Sequence, residues 1–152
     1  MTLSPTERVI KGQINTGPWT RLAVDSFIDF TIGPESTPVE AMSRATAMVG
    51  MSLPTFLAEV PGADQVCTRV QAVLTELVDI TARHKAGRDL VGRVAFDGTH
   101  VTVSVGDMDI PLPAPEEEPG LYLVHGIAGK DVGQYAGDHG GRVTWAAVAV
   151  RA

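Results

Sequence analysis

Cysteine is almost absent from this sequence, long apolar runs and an excess of positive charge are missing, and each of these features excludes a class of protein. Cys67 is the only cysteine, so neither a disulfide framework nor a cysteine-rich zinc site can form within one chain. No apolar run approaches the roughly 20 residues that a membrane-spanning helix needs. The formal net charge of -6 argues against a general surface for nucleic acids or anionic membranes.

The short signatures of common enzyme classes are also missing. The sequence contains no GxSxG, HExxH or GxxxxGK, so a nucleophile elbow, a zincin helix and a P-loop are excluded. The first residues, MTLSPTERVIKG, lack the basic start and the long apolar middle of a signal peptide. With 152 residues, 44% of them hydrophobic, the chain is expected to fold as one cytoplasmic domain with a sizeable core.

The first 33 residues have the pattern of a β-hairpin. The segments RVIKGQIN (residues 8–15) and WTRLAVDSFIDFTI (residues 19–32) are rich in β-branched and aromatic residues, and they flank the turn signal TGP. We therefore expect residues 1–33 to form an N-terminal hairpin. The remaining residues, 34–152, are expected to form the helix-and-sheet part of the same domain.

Two long helices are predicted next. Thr37 can cap the first helix, Pro38 suits its first position and Glu40 completes a capping box, so this helix should span Thr37 to Met51. MSLP then breaks the pattern before a short helical turn over residues 55–60. The apolar stripe of the first helix should consist of Val39, Met42, Ala45 and Val49.

The second helix should run from Ala63 to His84, and Gly87 is a plausible left-handed stop beyond it. Its apolar residues recur at alternating spacings of four and three, which is typical of an amphipathic helix packed on a flat surface. This stripe consists of Val66, Val70, Val73, Leu77 and Ile80. In the C-terminal half of this helix, Glu76, Ile80 and His84 are spaced four residues apart and so lie along one side of it.

The second half of the chain predicts strands joined by tight turns. DLVGRVAFDG and THVTVSVGD flank Asp97-Gly98, which is a strong hairpin signal. A proline-rich loop leads to a helix over Glu116 to Ala128, and RVTWAAVAV should form a covered strand. Because tight turns favour antiparallel pairing, the expected fold is α+β, a two-layer sandwich of a mixed or antiparallel sheet with helices on one face. The predicted core residues are Val70, Val73, Leu77, Val103, Val105, Leu121 and Val124.

From Ala63 onward, the order of the motifs resembles the GHKL ATPase and kinase superfamily, and most closely the small bacterial anti-sigma-factor serine kinases. The matching segments are TELVDITARH, VTVSVGDMD, EPGLYLV and DHGGRVTWAAVAV. The resemblance implies a histidine-kinase-like ATPase fold, in which Glu76 is the catalytic acidic residue and His84 ends its helix. It also implies that Asp107 recognises adenine and that Gly120 belongs to the second glycine box.

The sequence departs from that family where the metal and the phosphates would bind. Ile80 stands in the place of the asparagine that binds magnesium, and an isoleucine side chain has no oxygen to offer. The glycine-rich phosphate loop is replaced by IPLPAPEEEPG, whose prolines lack N–H donors and whose glutamates, Glu116 to Glu118, would repel a triphosphate. We therefore expect no cofactor and no metal, and ATP with magnesium is disfavoured. Ile80, His84, Asp107 and Gly120 would line a vestigial nucleotide pocket.

Each candidate residue also has a structural interpretation. Glu76 is either a base or a solvated carboxylate at the rim of a helix, and Asp107 is either an adenine ligand or a turn residue. A partly positive His84 suits the dipole at a helix end. His139 has no second histidine at metal spacing, which argues against a zinc site. Cys67 near the apolar stripe has the position of a buried filler.

Three functions remain open on the sequence alone. The first is a non-catalytic regulatory module that binds a protein partner, which the resemblance suggests is a sigma factor, an anti-sigma antagonist or a signalling kinase. The second is a weak ATP-binding serine/threonine kinase or ATPase, and the third is a structural or assembly protein whose resemblance is accidental. Neither a nucleic acid nor a membrane is an expected partner, whereas a homodimer is compatible with the sequence.

Overall fold

The computed structural model describes residues 26–85, 87–137 and 140–150. The predicted strand over residues 8–15 and the start of the next, over residues 19–25, lie outside the described residues. None of the helices in the described ranges combines the length and the apolar character needed to cross a membrane. The elements are β1 (Ser26–Ile32), α1 (Pro38–Phe56), α2 (Ala63–Arg83), β2 (Leu90–Phe96), β3 (His100–Met108), α3 (Gly120–Ala128), β4 (Val132–Ala136) and β5 (Arg142–Ala149).

The strands of the described part of the chain form one sheet in the order β1-β2-β3-β5-β4, and each neighbouring pair is antiparallel. A tight turn joins β2 to β3, and its Gly98 adopts a positive φ of 96°. The carboxylate of Asp97 accepts hydrogen bonds from the backbone N–H groups of Thr99 and His100, both at 2.8 Å. The predicted Asp97-Gly98 hairpin is therefore confirmed, and β1 joins the same sheet at its edge.

The helices pack against one face of this sheet. α2 contacts both α1 and α3, and it lies across β3 and β5. The predicted fold class, an α+β two-layer sandwich with helices on one face, is therefore confirmed, and the sheet is antiparallel rather than mixed. β5 lies between β3 and β4, in agreement with its prediction as a covered strand.

The core between the two layers is built from one stripe of α2 and alternate residues of the strands. On β3, Val101, Val103 and Val105 are fully buried, and each such side chain contributes about 1.5–3 kcal/mol of hydrophobic stabilisation. The stripe of α2 is buried as predicted, with no member more than 2% exposed: Val66, Val70, Val73, Leu77 and Ile80. The predicted core residues beyond these, Leu121 and Val124, are buried too.

α1 begins as predicted but buries a different stripe. The hydroxyl of Thr37 accepts from the N–H of Glu40 at 3.1 Å, and the carboxylate of Glu40 accepts from the N–H of Thr37 at 2.9 Å, which completes the capping box. The predicted stripe was wrong at Val39, which is 70% exposed. α1 packs against α2 through positions four residues apart, which follows a ridge of the helix surface. These positions are Ala41, Ala45, Val49 and Leu53.

The end of α1 also differs from the prediction, because the helix continues through Pro54. The expected break at MSLP and the separate turn over residues 55–60 were therefore wrong. A proline inside a helix costs about 3 kcal/mol. Leu53 and Leu57 on either side are fully buried, and their burial at about 1.5–3 kcal/mol each offsets that cost.

α3 begins at Gly120, four residues after the predicted start at Glu116. The preceding residue is Pro119, whose ring disfavours the helical conformation for the residue before it. Glu116 to Glu118 instead form a turn, in which the N–H groups of Glu117 and Glu118 donate to the carbonyl of Ala114 at 2.9 and 3.1 Å. The acidic run therefore precedes the helix and is not part of it.

β4 is a strand that the sequence did not predict, because it is short and contains Gly133. This glycine faces Trp145 of β5. A methyl group on Gly133 would lie 3.1 Å from the indole ring, so the glycine leaves room for the tryptophan. The strand thus depends on a neighbour that is distant in sequence.

We expect Leu77→Ala to lower the free energy of unfolding by roughly 2–5 kcal/mol, because Leu77 is fully buried at the centre of α2. Leu123→Ala on the outer face of α3 is the matched control, and it should change stability by less than about 1 kcal/mol because Leu123 is 45% exposed. Urea denaturation of the two variants measures both values. Similar losses would contradict the assigned orientation of the two helices.

Candidate functional site

The C-terminal half of α2 carries three of the predicted site residues on one stripe. Glu76, Ile80 and His84 are separated by four residues each, so they follow one another along the same side of the helix. Glu76 and His84 are partly exposed, whereas Ile80 is 2% exposed and belongs to the core. His84 is the C-cap residue of α2. Two polar groups therefore flank a core side chain.

The structure brings Glu76 and Gly120 together. Gly120 is the first residue of α3, and a methyl group at this position would overlap Oε1 of Glu76. The carboxylate can lie here only because residue 120 has no side chain. Two of the predicted site residues are therefore direct neighbours on facing helices.

The pKa of the Glu76 carboxyl group is raised above its ordinary value. Burial is the largest cause, the negative charge of Asp79 adds to it, and the positive charge of Arg83 opposes it. Such a carboxyl group takes up a proton more readily than an ordinary glutamate. General acids and bases have this property, and so do carboxylates that a fold merely covers. The raised pKa by itself therefore assigns no reaction to Glu76.

Asp107 lies near the end of β3 and is 7% exposed. Its carboxylate rests against two glycines: a methyl group at Gly137 would come within 2.6 Å of Oδ2, and one at Gly141 would overlap its Cβ. Oδ2 is buried and has no hydrogen-bond partner among the described residues. A buried acceptor of this kind is a place where a donor from a ligand would be stabilised.

Among the described residues, the predicted site residues make two groups of contacts. Glu76 lies with Gly120, and Asp107 lies with Gly137 and Gly141. Within the described ranges, no hydrogen bond or ion pair joins Asp107 to Glu76. A backbone hydrogen bond of 2.8 Å from the N–H of Asp109 to the carbonyl of His84 joins the segment after β3 to the end of α2.

An ion-pair cluster at the end of α2 was missed by the sequence analysis. Arg83 donates to both carboxylate oxygens of Glu118, with 3.1 Å between Nη1 and Oε2, and its Nε donates to Asp79 at 3.2 Å. Nε2 of His84 lies 3.4 Å from Oε2 of Glu118. Paired hydrogen bonds between arginine and a carboxylate are among the stronger contacts in proteins. The only signal in the sequence is an arginine four residues after Asp79, and that signal does not indicate Glu118.

The cluster changes the proton affinity of both main partners. The hydrogen bonds from Arg83 are the largest cause of a lowered pKa of Glu118, which burial opposes. The hydrogen bonds to Glu118 and then Asp79 raise the pKa of Arg83 above its ordinary value. Both groups therefore stay charged at neutral pH and hold each other in place.

The proline-rich loop that carries Glu118 is also fixed at its start. Beyond the hydrogen bond from Asp109 to His84, the N–H of Leu112 donates to Oε1 of Gln134 at 2.8 Å. Arg88 forms an ion pair with the carboxylate of Asp109. The side chain of Leu112 is partly buried against the core. The loop therefore lies along the protein with contacts at both ends.

The residues present do not fit a magnesium ion bound as the resembled family binds it. Ile80 stands at the ligand position, and its hydrocarbon side chain cannot coordinate a hard cation. In the part of the chain that the structure describes, no group of three or more His, Cys, Asp and Glu side chains could hold a metal ion. His139, considered above for zinc, lies outside the described residues.

Cys67 is partly buried on α2 and forms no disulfide. Burial, and then the negative charge of Asp64, raise the pKa of its thiol. A raised pKa keeps the thiol protonated at neutral pH, and the protonated thiol is a poor nucleophile. This finding favours the structural interpretation of Cys67.

No protein-family model matches this chain, and no curated protein matches it. The resemblance to the GHKL superfamily therefore rests on the order and spacing of the sequence motifs alone. Whatever that resemblance implies about activity and partners is a proposal, and its support comes from the geometry around Glu76, Asp107 and Glu118.

We expect Gly141→Ala to destabilise the protein by roughly 1–3 kcal/mol, because the new methyl group would overlap Cβ of Asp107, which cannot move without its backbone. Gly120→Ala is the matched control. Its methyl group overlaps only the end of the flexible Glu76 side chain, and alanine is the better helix former by about 1 kcal/mol. Urea denaturation measures both effects, and equal losses would contradict the packing of Asp107 described above.

Glu118→Gln should lower the free energy of unfolding at neutral pH and have little effect in acid. Because the pKa of Glu118 is lowered in the folded protein, its ion pair stabilises the fold above the ordinary value of 4.5. This contribution is lost as the pH falls through the lowered pKa. Denaturant unfolding of both proteins at about pH 7 and about pH 3 isolates the effect of this group.

Glu117→Gln removes an exposed neighbouring carboxylate and is the control for this pH series. It should show no comparable change in stability between neutral and acidic pH. If the difference between the wild type and Glu118→Gln were the same at both pH values, the ion pair would not be its cause.

Proposed function

We propose that this protein is a non-catalytic regulatory module that acts by binding a protein partner. The observation that carries this proposal is the burial of Ile80. The side chain between Glu76 and His84 is 2% exposed and packs in the core, at the position where the resembled kinases have a magnesium ligand. Without an oxygen ligand there, magnesium lacks a partner that would orient a triphosphate for reaction.

The charges around Glu118 also support a non-catalytic function. Phosphate groups bind to free backbone N–H groups and to lysine or arginine side chains. Arg83 is already paired with the carboxylates of Glu118 and Asp79. Pro111, Pro113 and the other prolines of the loop offer no N–H group. A triphosphate would therefore compete with Glu118 and Asp79 for Arg83.

The outer face of α3 supports the protein-binding part of the proposal. Tyr122 is 57% exposed and Leu123 is 45% exposed, and both follow the exposed Glu116 and Glu117 in the chain. Aromatic and aliphatic side chains of this kind are frequent anchors in protein interfaces. The resemblance suggests a sigma factor, an anti-sigma antagonist or a signalling kinase as the partner class.

A second candidate function, weak nucleotide binding, has one observation in its favour. Oδ2 of Asp107 is buried without a partner in the described residues, so an amino group of a base could donate a hydrogen bond to it. A nucleotide held in this way would be bound without being hydrolysed. The chain would act as a weak kinase or ATPase only if Glu76 and a metal completed the site.

A thermal-shift titration with ATP and ADP, with and without magnesium, separates the two functions. A ligand that binds only the folded state stabilises it by RT ln(1 + [L]/Kd), which is about 2.7 kcal/mol at a hundredfold excess over Kd. We expect no magnesium-dependent shift and no ATP turnover. Turnover that requires magnesium and is abolished by Glu76→Ala would contradict the proposal.

The protein-binding function is tested directly with purified sigma factors and anti-sigma antagonists by size-exclusion chromatography. We expect co-elution with one of them that does not require ATP and that weakens in a Tyr122→Ala, Leu123→Ala double variant. Gel filtration of the chain alone shows whether a homodimer is present. Co-elution that strictly requires magnesium and ATP would favour the nucleotide-dependent alternative.

Ile80→Asn is expected to destabilise the protein by at least about 1–3 kcal/mol, because a buried amide without partners replaces a core side chain. Ile80→Val is the matched control and should cost about 0.5–1.5 kcal/mol. Melting temperatures measured with and without magnesium and ATP check the result, and we expect no recovery with the ligand. A melting temperature restored by magnesium and ATP together would show that residue 80 faces a nucleotide site.

A further inference from the structure

The loop between β3 and α3, residues 109–119, is held by separate contacts at its two ends, and we name this loop the strap. We propose that Glu118 latches the strap onto the end of α2, and that breaking this latch uncovers Glu76 while the rest of the fold stays intact. The latch consists of Glu118, Arg83 and His84. This inference is independent of the partner-binding function proposed above.

The start of the strap is held by contacts that do not involve the latch residues, and one of them is the ion pair between Asp109 and Arg88. The N–H of Asp109 donates to the carbonyl of His84, and the N–H of Leu112 donates to the side-chain amide oxygen of Gln134, both at 2.8 Å. The side chain of Leu112 is also partly buried against the core. A change of charge at the other end leaves these contacts in place, so the start of the strap serves as the hinge.

The end of the strap is held by charge. Both carboxylate oxygens of Glu118 accept hydrogen bonds from Arg83, and His84 lies 3.4 Å from one of them. Asp79 is the other acidic group on Arg83, at 3.1 Å. The arginine is more exposed than the glutamate, so solvent and salt reach the pair. Although its paired hydrogen bonds are well formed, a partly exposed ion pair contributes only modestly to stability, so removal of one of its charges is expected to open the contact.

The latch controls the cover over Glu76 because the two sites are nearly adjacent in the chain. Gly120, which lies against the carboxylate of Glu76, is separated from Glu118 by a single residue. The N–H of Leu121 donates to the carbonyl of Glu118 at 2.9 Å, and the N–H of Tyr122 donates to that of Pro119 at 3.0 Å. Moving Glu118 outward therefore also loosens the first turn of α3.

The neighbouring glutamates do not share this role. Glu116 and Glu117 are exposed, and within the described residues neither forms an ion pair. The three consecutive glutamates thus divide into one that faces α2 and two that face solvent. This division supplies a matched control, because Glu117→Gln changes the same charge one residue away from the latch.

Amide hydrogen exchange followed by NMR at neutral pH tests the latch. Four amides report on the strap end, namely those of Glu117, residue 118, Leu121 and Tyr122, whose local hydrogen bonds lie in the segment that the latch holds in place. In Glu118→Gln we expect their protection factors to fall at least tenfold. The Asp109 amide at the hinge and the amides inside α2 should keep the wild-type values, and Glu117→Gln should match the wild type throughout.

Arg83→Gln is the second variant, and it should reproduce the loss because it removes the other half of the latch. Unchanged protection at the four amides in both variants would overturn the proposal. An equal loss in Glu117→Gln would also overturn it, since any glutamate of the run would then suffice. A loss that extends to Asp109 and through α2 in both variants would show that the strap does not open separately from the fold.

Discussion

Burial of the apolar stripe of α2 is the interaction on which the other contacts of this protein depend. α2 touches both other helices and two strands of the sheet, and its stripe residues are almost fully buried. Hydrophobic burial is the dominant favourable term in folding, so this stripe fixes the rotation and the position of the helix. The polar residues at its C-terminal end, Glu76, Arg83 and His84, are placed by the same packing. Their geometry is therefore a consequence of the core.

Ile80 shows how the core and a metal site compete for one position. The stripe of α2 continues through Ile80, so the apolar core extends to the point where the resembled kinases have an oxygen ligand. A side chain at this position either packs in the core or reaches a cation, and isoleucine does only the first. The gain is about 1.5–3 kcal/mol of hydrophobic stabilisation, and the loss is the ligand that makes magnesium binding specific. Under the proposed function, the core gains at this position what a magnesium site would lose.

The sequence predicted the features that are decided within a few residues and missed those decided by distant contacts. The capping box at Thr37, the stripe of α2 and the Asp97-Gly98 turn are local patterns, and the fold class followed from their order. β4 depends on the fit of Gly133 against Trp145. The continuation of α1 through Pro54 depends on the burial of Leu53 and Leu57 on either side of the proline. At the candidate site, Glu76 and Gly120 lie side by side, and the assignment of both to a nucleotide pocket stays a prediction. The sequence could not reveal the ion pair between Arg83 and Glu118, which joins residues 35 positions apart.

The carboxyl groups of Glu76 and Glu118, both near the end of α2, have pKa values shifted in opposite directions. They differ in that Arg83 donates hydrogen bonds to only one of them. Arg83 donates hydrogen bonds directly to Glu118 and lowers its pKa, whereas it acts on Glu76 only through charge and does not overcome burial and the repulsion from Asp79. Arg83 is thus bound directly to the strap and reaches Glu76 only through its charge. While the strap is closed, Glu76 is covered by Gly120 and holds a proton more readily than an ordinary glutamate does. Burial and the negative charge of Asp79 therefore make Glu76 a weaker anion than an ordinary glutamate, which disfavours a cation at that carboxylate.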